Sequence, residues 1–478
     1  MRHKLLELTA VKARSMFENS ELSSHQLVSY YLDRVARIDQ AGPRLNSVLE
    51  INPDALIIAD AMDRERGSGR VRSPLHGMPI LIKDNINTAD KLRTSAGSLA
   101  LADNFAPYDA SIISRIRDAG LVILGKTNMT EFANYMSSRM KNGYSSRGGQ
   151  VLHAYNEGGE VWGSSTGSAV AVAANLCLFS IGTETNGSIL GPSNKNSTVG
   201  IKPTQGLVSR HGIIPICTAL DTAGPMARTV SDCAALMNVI VGEDLNDPAT
   251  WGHSRNIPAD YTDFLQKDGL QGLRIGVNRA YYDQLTGQEI DLIEQACEVL
   301  ADQGAFLVQD TNLDKFRCDE PILLYEFQKC LNYYLSTVNT KCRSLADIIK
   351  FYMDHPVEGL KYGMDILLDA QLKASGNCHD PQYLSGRLEA IQVSRQEGLD
   401  RVFEENSLDL LACPGSADFA PVSGYPGINL PVGYDAGNNP FGLTFVGRPY
   451  AEPVLIKAAY AYEQVSQMRK LPPLEETS

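Results

Sequence analysis

Short apolar runs alternate with amphipathic stretches along the first half of the chain. Apolar residues in the first 65 positions recur at spacings of three and four, which predicts two amphipathic helices. Continuous apolar runs at 78–82 (MPILI) and 121–125 (LVILG) predict buried strands, and a helix is predicted between them over 111–120. This alternation predicts an α/β fold in which helices cover a sheet.

The second half of the chain predicts a helical region set between strands. A helix is predicted over 225–245, a buried strand over 272–277, and mostly helices over 280–405. Further predicted strands and a C-terminal helix follow, over 409–414, 427–434, 441–447 and 454–468. The helices of 280–405 therefore interrupt the α/β body and are expected to cover one end of its sheet.

The composition is that of a soluble globular protein and excludes several functions. The chain is 43% hydrophobic and 21% charged, and it has no apolar run of about eighteen residues, so no membrane-spanning helix is expected. Its net charge of −13, without a basic stretch, argues against nucleic acid as a partner. Nine scattered cysteines and the absence of a signal-peptide pattern predict free thiols, no structural zinc and a cytoplasmic location.

A serine- and glycine-rich segment at 160–193 is the strongest candidate for chemistry. Within it, GSSTG at 163–167 fits the G-x-S-x-G nucleophile elbow, with Ser165 at its centre. That motif requires a strand directly before it, whereas the preceding residues AYNEGGEVW are typical of a loop. The elbow interpretation is therefore disfavoured.

Chain geometry points to a different serine. A helix from Gly167 to about Leu178 would be about 18 Å long, and the extended segment SIGTET after it would return about 20 Å. Ser188 is then expected beside the start of the helix, close to Ser164 and Ser165. Backbone N–H groups of the turn TNGS can point into one concavity there, as an oxyanion hole requires.

A serine nucleophile also needs a base. The eight histidines occupy helix surfaces, polar surroundings or loops without an adjacent acidic residue, so none is a convincing partner. Lys83 ends the apolar run MPILI, whose side chains could desolvate its amine and lower its pKa, and Ser–Lys pairs are a known triad variant. Taken alone, a lysine at a strand end usually extends to water instead.

Several long segments resemble the amidase signature family of serine hydrolases, and within it the peptide-amidase-like branch. The resemblance covers nearly the whole chain. The segments that carry it include HGMPILIKDNINT (76–88), DAGLVILGKTNMTEFAN (118–134), GSSTGSAVAVAANL (163–176), GTETNGSI (182–189) and VGIKPTQGLVSRHGIIPI (199–216).

The resemblance implies the amidase signature fold, a large mixed and mostly parallel twisted sheet with helices on both faces. One domain over 1–478 is then expected. Its parts are N-terminal helices (1–65), a core with the catalytic residues (66–245), a mostly helical substrate-covering region (280–405), and returning strands with a terminal helix (406–478).

The resemblance also implies a Ser–cisSer–Lys triad and no metal or organic cofactor. Ser188 would be the nucleophile, Ser164 the bridging serine on a cis peptide bond, and Lys83 the neutral base. The oxyanion hole is expected to form from the N–H groups of Thr185, Asn186, Gly187 and Ser188. Ser165 and Asp221 are the expected supporting residues.

The sequence departs from the family pattern close to this site. Asn186 replaces the usual Gly or Asp, and Trp162 stands where the family has a small residue. Leu220 replaces a Gln of the branch, and Leu190-Gly191 stands where other branches carry Arg or Cys nearby. Trp162, Leu190 and Leu220 are candidate substrate-pocket residues, and the helical stretch 313–380 is expected to contribute to the same pocket.

The predicted function is hydrolysis of a linear carboxamide, with a peptide C-terminal amide as one candidate substrate. One alternative is an acyltransferase that uses the same acyl-enzyme, and another is a non-catalytic binding protein on this scaffold. The expected partners are a small-molecule or peptide amide and, for the assembly, a second copy in a homodimer. Neither nucleic acid nor a membrane is expected as a partner.

Overall fold

The computed structural model describes residues 5–309, 311, 313, 320–374, 377–417 and 419–474. Its strands are β1 (Val48–Ile51), β2 (Pro79–Lys83), β3 (Val122–Thr127), β4 (Tyr144–Ser145), β5 (Gly149–Gln150), β6 (Phe179–Glu184), β7 (Val199–Lys202), β8 (Thr222–Ala227), β9 (Arg274–Val277), β10 (Phe306–Val308), β11 (Leu410–Pro414), β12 (Gly427–Tyr434) and β13 (Pro440–Val446).

The α-helices are α1 (Ala10–Glu18), α2 (Ser24–Arg34), α3 (Ala55–Gly67), α4 (Ser111–Asp118), α5 (Thr166–Ala173), α6 (Leu190–Lys195), α7 (Val230–Ile240), α8 (Gly287–Asp302), α9 (Glu320–Thr337), α10 (Leu345–Asp354), α11 (Pro356–Gly359), α12 (Asp365–Leu372), α13 (Pro381–Ile391), α14 (Arg401–Glu405), α15 (Phe419–Ser423) and α16 (Glu452–Ser466). Among the helices of the described ranges, none has the length and apolar character needed to span a membrane.

Within the described residues, eleven strands form one mixed sheet, in the order β1-β3-β2-β6-β8-β7-β12-β13-β11-β9-β10. Parallel pairing occurs in two blocks of three strands, β3-β2-β6 and β11-β9-β10, and the other neighbours pair antiparallel. Helices α5 and α6 pack on the face of Gly182 and Gly200, whereas α7 and α16 join Val199 and Ile428 in the main core. The predicted large mixed sheet with helices on both faces is confirmed, with its parallel part confined to the two blocks.

Local sequence patterns misplaced three elements. The first 65 residues contain a third helix and strand β1, which is recruited by antiparallel pairing with β3. The helix predicted over 225–245 is shortened to α7, because the residues before it form β8 between β6 and β7. The helix predicted to reach about Leu178 ends at Ala173, and Asn175 then adopts a left-handed φ of 56° that turns the chain.

The helices between 320 and 391 form a second apolar core over one end of the sheet. Phe327, Leu331 and Tyr352 of these helices pack with Phe132 and Ile214, which lie on loops leaving the sheet. Phe132 follows the carboxyl end of β3, which pairs parallel with β2, and Lys83 stands at the same end of β2. This second core therefore lies over the end of the sheet that carries Lys83.

Candidate active site

Lys83 lies at the end of β2, and its side chain is fully buried. Its Nζ is 2.8 Å from Ser164 Oγ, 2.8 Å from Ser165 Oγ and 3.1 Å from the Thr183 carbonyl oxygen. Burial lowers the pKa of Lys83 well below its usual range, and the charge of Glu184 opposes this only in part. Burial therefore favours the neutral amine over the charged one.

The two serines are fixed in place by backbone contacts at the start of α5. The peptide bond between Gly163 and Ser164 is cis, and the Ser164 carbonyl accepts from the Thr130 N–H at 3.1 Å. Ser165 Oγ donates to the Thr183 carbonyl at 3.0 Å, and its N–H donates to the Ser188 carbonyl at 3.1 Å. These bonds join the serine pair to β6 and to the turn that follows it.

Ser188 lies on the turn between β6 and α6, and only 6% of its surface is exposed. Gly187 occupies a left-handed position there, with φ of 74°, which a glycine adopts without steric cost. The Glu184 carboxylate beneath the turn accepts from the N–H of Ile189 at 2.6 Å and of Leu190 at 3.0 Å. The turn is therefore anchored from inside by a buried acid that the sequence reasoning missed. The only sign of Glu184 in the sequence is that an acidic residue directly precedes the turn.

Asp221 anchors the same turn from the outside. Its carboxylate accepts from Thr185 Oγ1 at 2.5 Å and from the N–H groups of Ile216 and Cys217 at 2.9 and 3.1 Å. Burial raises the pKa of Asp221 to about 7, and the bond from Thr185 opposes the rise. Asp221 thus ties the start of the turn to the loop before β8.

Two adjoining cavities open at this site. The smaller, of about 300 Å³, is bordered by Ser188 and Asn186 together with Trp162. The larger, of about 540 Å³, meets it at Ala133, Thr185 and Ile216. Isoleucines 213, 214 and 216 and residues of α9 line the larger cavity, among them Tyr333, Tyr334 and Thr337.

Not every predicted pocket residue borders these cavities. Leu190 is fully buried and packs toward Gly427 of β12, and Leu220 is buried in the second apolar core. Their expected pocket role therefore gives way to a packing role, while Trp162 alone of the three borders a cavity. The stretch 313–380 contributes through α9, and its residues 314–319, 375 and 376 lie outside the described residues.

The histidines lie away from the serines. His76 and His153 are buried, where their Nε2 atoms contact the carbonyl oxygens of Met62 and Lys195. His211 borders the larger cavity and stacks on the Tyr108 ring at 5.1 Å. In the described part of the chain, no histidine hydrogen-bonds to the serines at the site, nor is there a cluster of three or more His, Cys, Asp or Glu suited to a metal ion.

A conformationally unusual loop forms another wall of the smaller cavity. Phe132, Ala133 and Asn134 have φ of 47°, 55° and 73°, which non-glycine residues rarely adopt. The fully buried Glu131 before them accepts from the Ser146 N–H at 2.6 Å and from the Tyr352 hydroxyl. Burial raises the pKa of Glu131 to about 7. A buried acid thus connects the wall of the cavity to α10.

Glu131→Gln is expected to change how stability depends on pH. The unfolded carboxyl titrates near 4.5 and the folded one near 7, so between these values the folded state binds more protons. Relative to the variant, the wild type should therefore lose about 3 kcal/mol of unfolding free energy as pH rises through this window, with no further change above it. Urea unfolding from pH 4 to pH 8 measures the difference, and parallel curves for the two proteins would contradict it.

Known proteins match this chain along almost its whole length. The family model described as Amidase matches residues 26–425. The native peptide amidase from Stenotrophomonas maltophilia is 43% identical, with a TM-score of 0.94 over 98% of this chain and 99% of that one. The chain belongs to the amidase family and is an amide-hydrolysing enzyme.

Two further relatives agree with this assignment. A probable amidase of Arabidopsis thaliana is 38% identical over 98% of this chain and 91% of its own length. A peptide amidase solved in complex with the competitive inhibitor chymostatin is 43% identical, with a TM-score of 0.93 over 98% of this chain and 99% of that one. The predicted family resemblance is therefore confirmed, and the alternative of a non-catalytic binding protein is set aside.

Proposed function

We propose that this enzyme hydrolyses linear carboxamides, peptide C-terminal amides in particular, through a relay of Ser188, Ser164 and Lys83. The observation that carries the proposal is the buried Lys83 Nζ, 2.8 Å from Ser164 Oγ and shielded from water. The 43% identity to a peptide amidase over nearly the full chain supports a peptide amide as the substrate.

The hydrogen bonds around Lys83 suit a neutral amine. Ser165 Oγ gives its own proton to the Thr183 carbonyl, so it can only accept from Lys83. The Thr183 carbonyl also accepts from Nζ, at 3.1 Å. A neutral amine has two N–H bonds, which these two acceptors use, and its lone pair is left for the Ser164 hydroxyl. Lys83 is therefore poised to take a proton from Ser164.

In the proposed reaction, Ser188 Oγ attacks the amide carbonyl carbon. Its proton passes to Ser164 Oγ, while Ser164 gives its own proton to Lys83 Nζ. The carbonyl oxygen becomes an oxyanion held by backbone N–H groups of the turn from Thr185 to Ser188, each worth about 3–4 kcal/mol by analogy with other hydrolases. Because the Gly187 N–H also interacts with Glu184, the other three N–H groups contribute most of this stabilisation.

Collapse of the intermediate breaks the C–N bond. The departing nitrogen keeps the bonding electron pair and takes a proton from Ser164, which Lys83 replenishes. Water then attacks the acyl-enzyme ester through the same relay run again, releasing the carboxylic acid and restoring the Ser188 hydroxyl. The side chains of Asn134, Asn142 and Asn186 border the smaller cavity and can accommodate this water, which favours hydrolysis over acyl transfer.

A small fluorophosphonate tests the proposed nucleophile directly. We expect one adduct by intact mass, mapped by digestion to Ser188, and no adduct in Lys83→Ala, which lacks the base. Ser193→Ala is the matched control, since this buried serine lies within α6, shortly after Ser188, and its Oγ has no hydrogen-bond partner among the described residues. Labelling at Ser165, or undiminished labelling of Lys83→Ala, would overturn the assignment.

A cytoplasmic location and a homodimer remain predictions from the sequence. The cysteines of the described residues are free thiols, which supports a reducing compartment. Analytical ultracentrifugation of the purified chain would decide between a monomer and a dimer.

A further inference from the structure

The indole of Trp162 lies directly against the backbone of Gly191. A Cβ added at Gly191 would overlap the indole Nε1 and Cδ1 atoms and lie 3.0 Å from Cε2. Gly191 therefore leaves the space that the indole fills, and any larger residue would displace the ring. Trp162 is half-buried, its backbone is left-handed with φ of 53°, and its carbonyl accepts from Thr166 Oγ1 at 2.6 Å.

Trp162 and Gly191, which both belong to departures from the family pattern, thus form one structural feature because they are in direct contact. Trp162 replaces a small residue on the segment before Ser164, and Gly191 is the residue of α6 that makes room for it. The ring joins the first turn of α6, which follows the nucleophile, to the cis peptide bond that precedes the bridging serine.

The position of Trp162 identifies the part of the substrate that it meets. Under the proposed mechanism the departing nitrogen must approach Ser164 Oγ, because that hydroxyl supplies its proton. Trp162 and Gly163 directly precede Ser164, and both border the smaller cavity together with Ser188. Trp162 does not border the larger cavity. The ring therefore restricts space on the leaving-group side, while the larger cavity is free for the acyl body.

We propose that Trp162, supported by Gly191, is a specificity-determining residue that limits the leaving group to ammonia and very small amines. The acyl body, with its apolar side chain, occupies the cavity of about 540 Å³. This inference rests on the proposed function and adds the class of amide, namely primary carboxamides of acyl groups that carry a bulky apolar side chain. The Trp162 ring, which forms this wall of the smaller cavity, also excludes bulky amine acceptors and so disfavours acyl transfer to them.

Trp162→Ala tests the wall with amides that share one acyl group. N-acetylphenylalanine amide, its N-methylamide and its anilide differ only in the departing amine. We expect the variant to raise the anilide-to-amide ratio of kcat/KM by about tenfold or more, as removal of a steric wall does. Trp162→Phe, which keeps a ring, should change the ratio less, and circular dichroism verifies the fold of each variant. An unchanged ratio in Trp162→Ala would overturn the proposal.

Gly191→Ala tests the contact between the two residues. Alone, it should lower kcat/KM for the primary amide, because the new methyl group displaces the indole toward Ser188. In the Trp162→Ala background the same change should have little effect, since the ring is gone. Equal losses in both backgrounds would show that the contact does not shape the cavity, and they would contradict the proposal.

Fluorescence provides a readout that does not depend on turnover. The chain has two tryptophans, and Trp251 is 55% exposed and borders neither cavity. In Ser188→Ala/Trp251→Phe, saturating N-acetylphenylalanine amide should alter the emission of Trp162, whereas Ser188→Ala/Trp162→Phe should show no change. Unaltered Trp162 emission at concentrations that saturate wild-type turnover would overturn the proposed placement.

Failure of this inference is separable from failure of the proposed function. The anilide-to-amide ratio compares two substrates within one variant, so its interpretation does not depend on which serine is the nucleophile. An unchanged ratio with a fluorophosphonate adduct on Ser188 would remove the role of Trp162 and leave the relay intact. A raised ratio with labelling elsewhere would keep the wall and overturn the relay.

Discussion

Ser188→Ala is expected to lower kcat for a peptide amide by about 10⁴- to 10⁶-fold, the loss seen when a serine hydrolase loses its nucleophile. The protein should remain folded, because the substitution removes only Oγ. The backbone contacts of the turn persist, since the Ser188 carbonyl still accepts from Ser165 and Glu184 still binds the N–H groups of Ile189 and Leu190. Steady-state release of ammonia from N-acetylphenylalanine amide measures the effect.

Ser193→Ala is again the matched control and should retain wild-type kcat, because its hydroxyl lies outside the proposed relay. The thermal midpoints of both variants should stay near that of the wild type. If Ser188→Ala kept a tenth or more of wild-type turnover after purification free of wild-type enzyme, Ser188 would not be the nucleophile.

Lys83→Met is expected to lower kcat/KM at pH 7 by about 10³-fold or more. The loss follows because a methionine fills a similar volume but cannot accept the Ser164 proton, and general-base assistance contributes about 10²- to 10⁴-fold. Ser165→Ala removes only one of the three partners of Nζ and should retain measurable activity. Undiminished activity of Lys83→Met at neutral pH would exclude Lys83 as the base.

Both kcat/KM and the stability of the wild type relative to Lys83→Met are expected to rise with pH. Burial lowers the folded pKa of Lys83, so wild-type kcat/KM should rise with pH as the amine loses its proton and then level off. In the unfolded chain the same lysine keeps its proton up to about pH 10.5. Between the two pKa values the unfolded state binds more protons, so the stability of the wild type relative to Lys83→Met should rise with pH. A falling difference across that window would contradict the neutral assignment.

Much of the candidate site was predictable from local patterns. The run PILIK ends in a lysine, and a continuous apolar run of that length is typical of a strand buried on both faces, as β2 is. The small-residue helix and the extended segment that runs back after it predicted that Ser188 lies near Ser165. In the structure the Ser165 N–H donates a hydrogen bond to the Ser188 carbonyl at 3.1 Å. The family resemblance, now confirmed, explains why these segments occur together.

Other features required the tertiary structure. Glu131 and Tyr352 meet across 221 positions of the chain, and no periodicity in either segment predicts that contact. Glu184 is directly beneath the turn that carries Ser188, but an acidic residue before a glycine turn is commonly exposed, so only its burial by the packed sheet reveals its contacts. Leu190 and Leu220 were expected at the pocket because they depart from the family pattern near the site, whereas both side chains are buried, Leu220 in the second apolar core.

The sequence by itself determined the family, the mixed α/β sheet and the chemical types at the site, because these depend on residue identity and on patterns a few residues long. Only the tertiary structure decided which strands β1 and β8 join, how two buried acids anchor the walls of the smaller cavity, and that Trp162 rests on Gly191. These features depend on contacts between segments distant along the chain. Such contacts form only when the whole core packs, since their loop-closure cost is recovered through burial elsewhere.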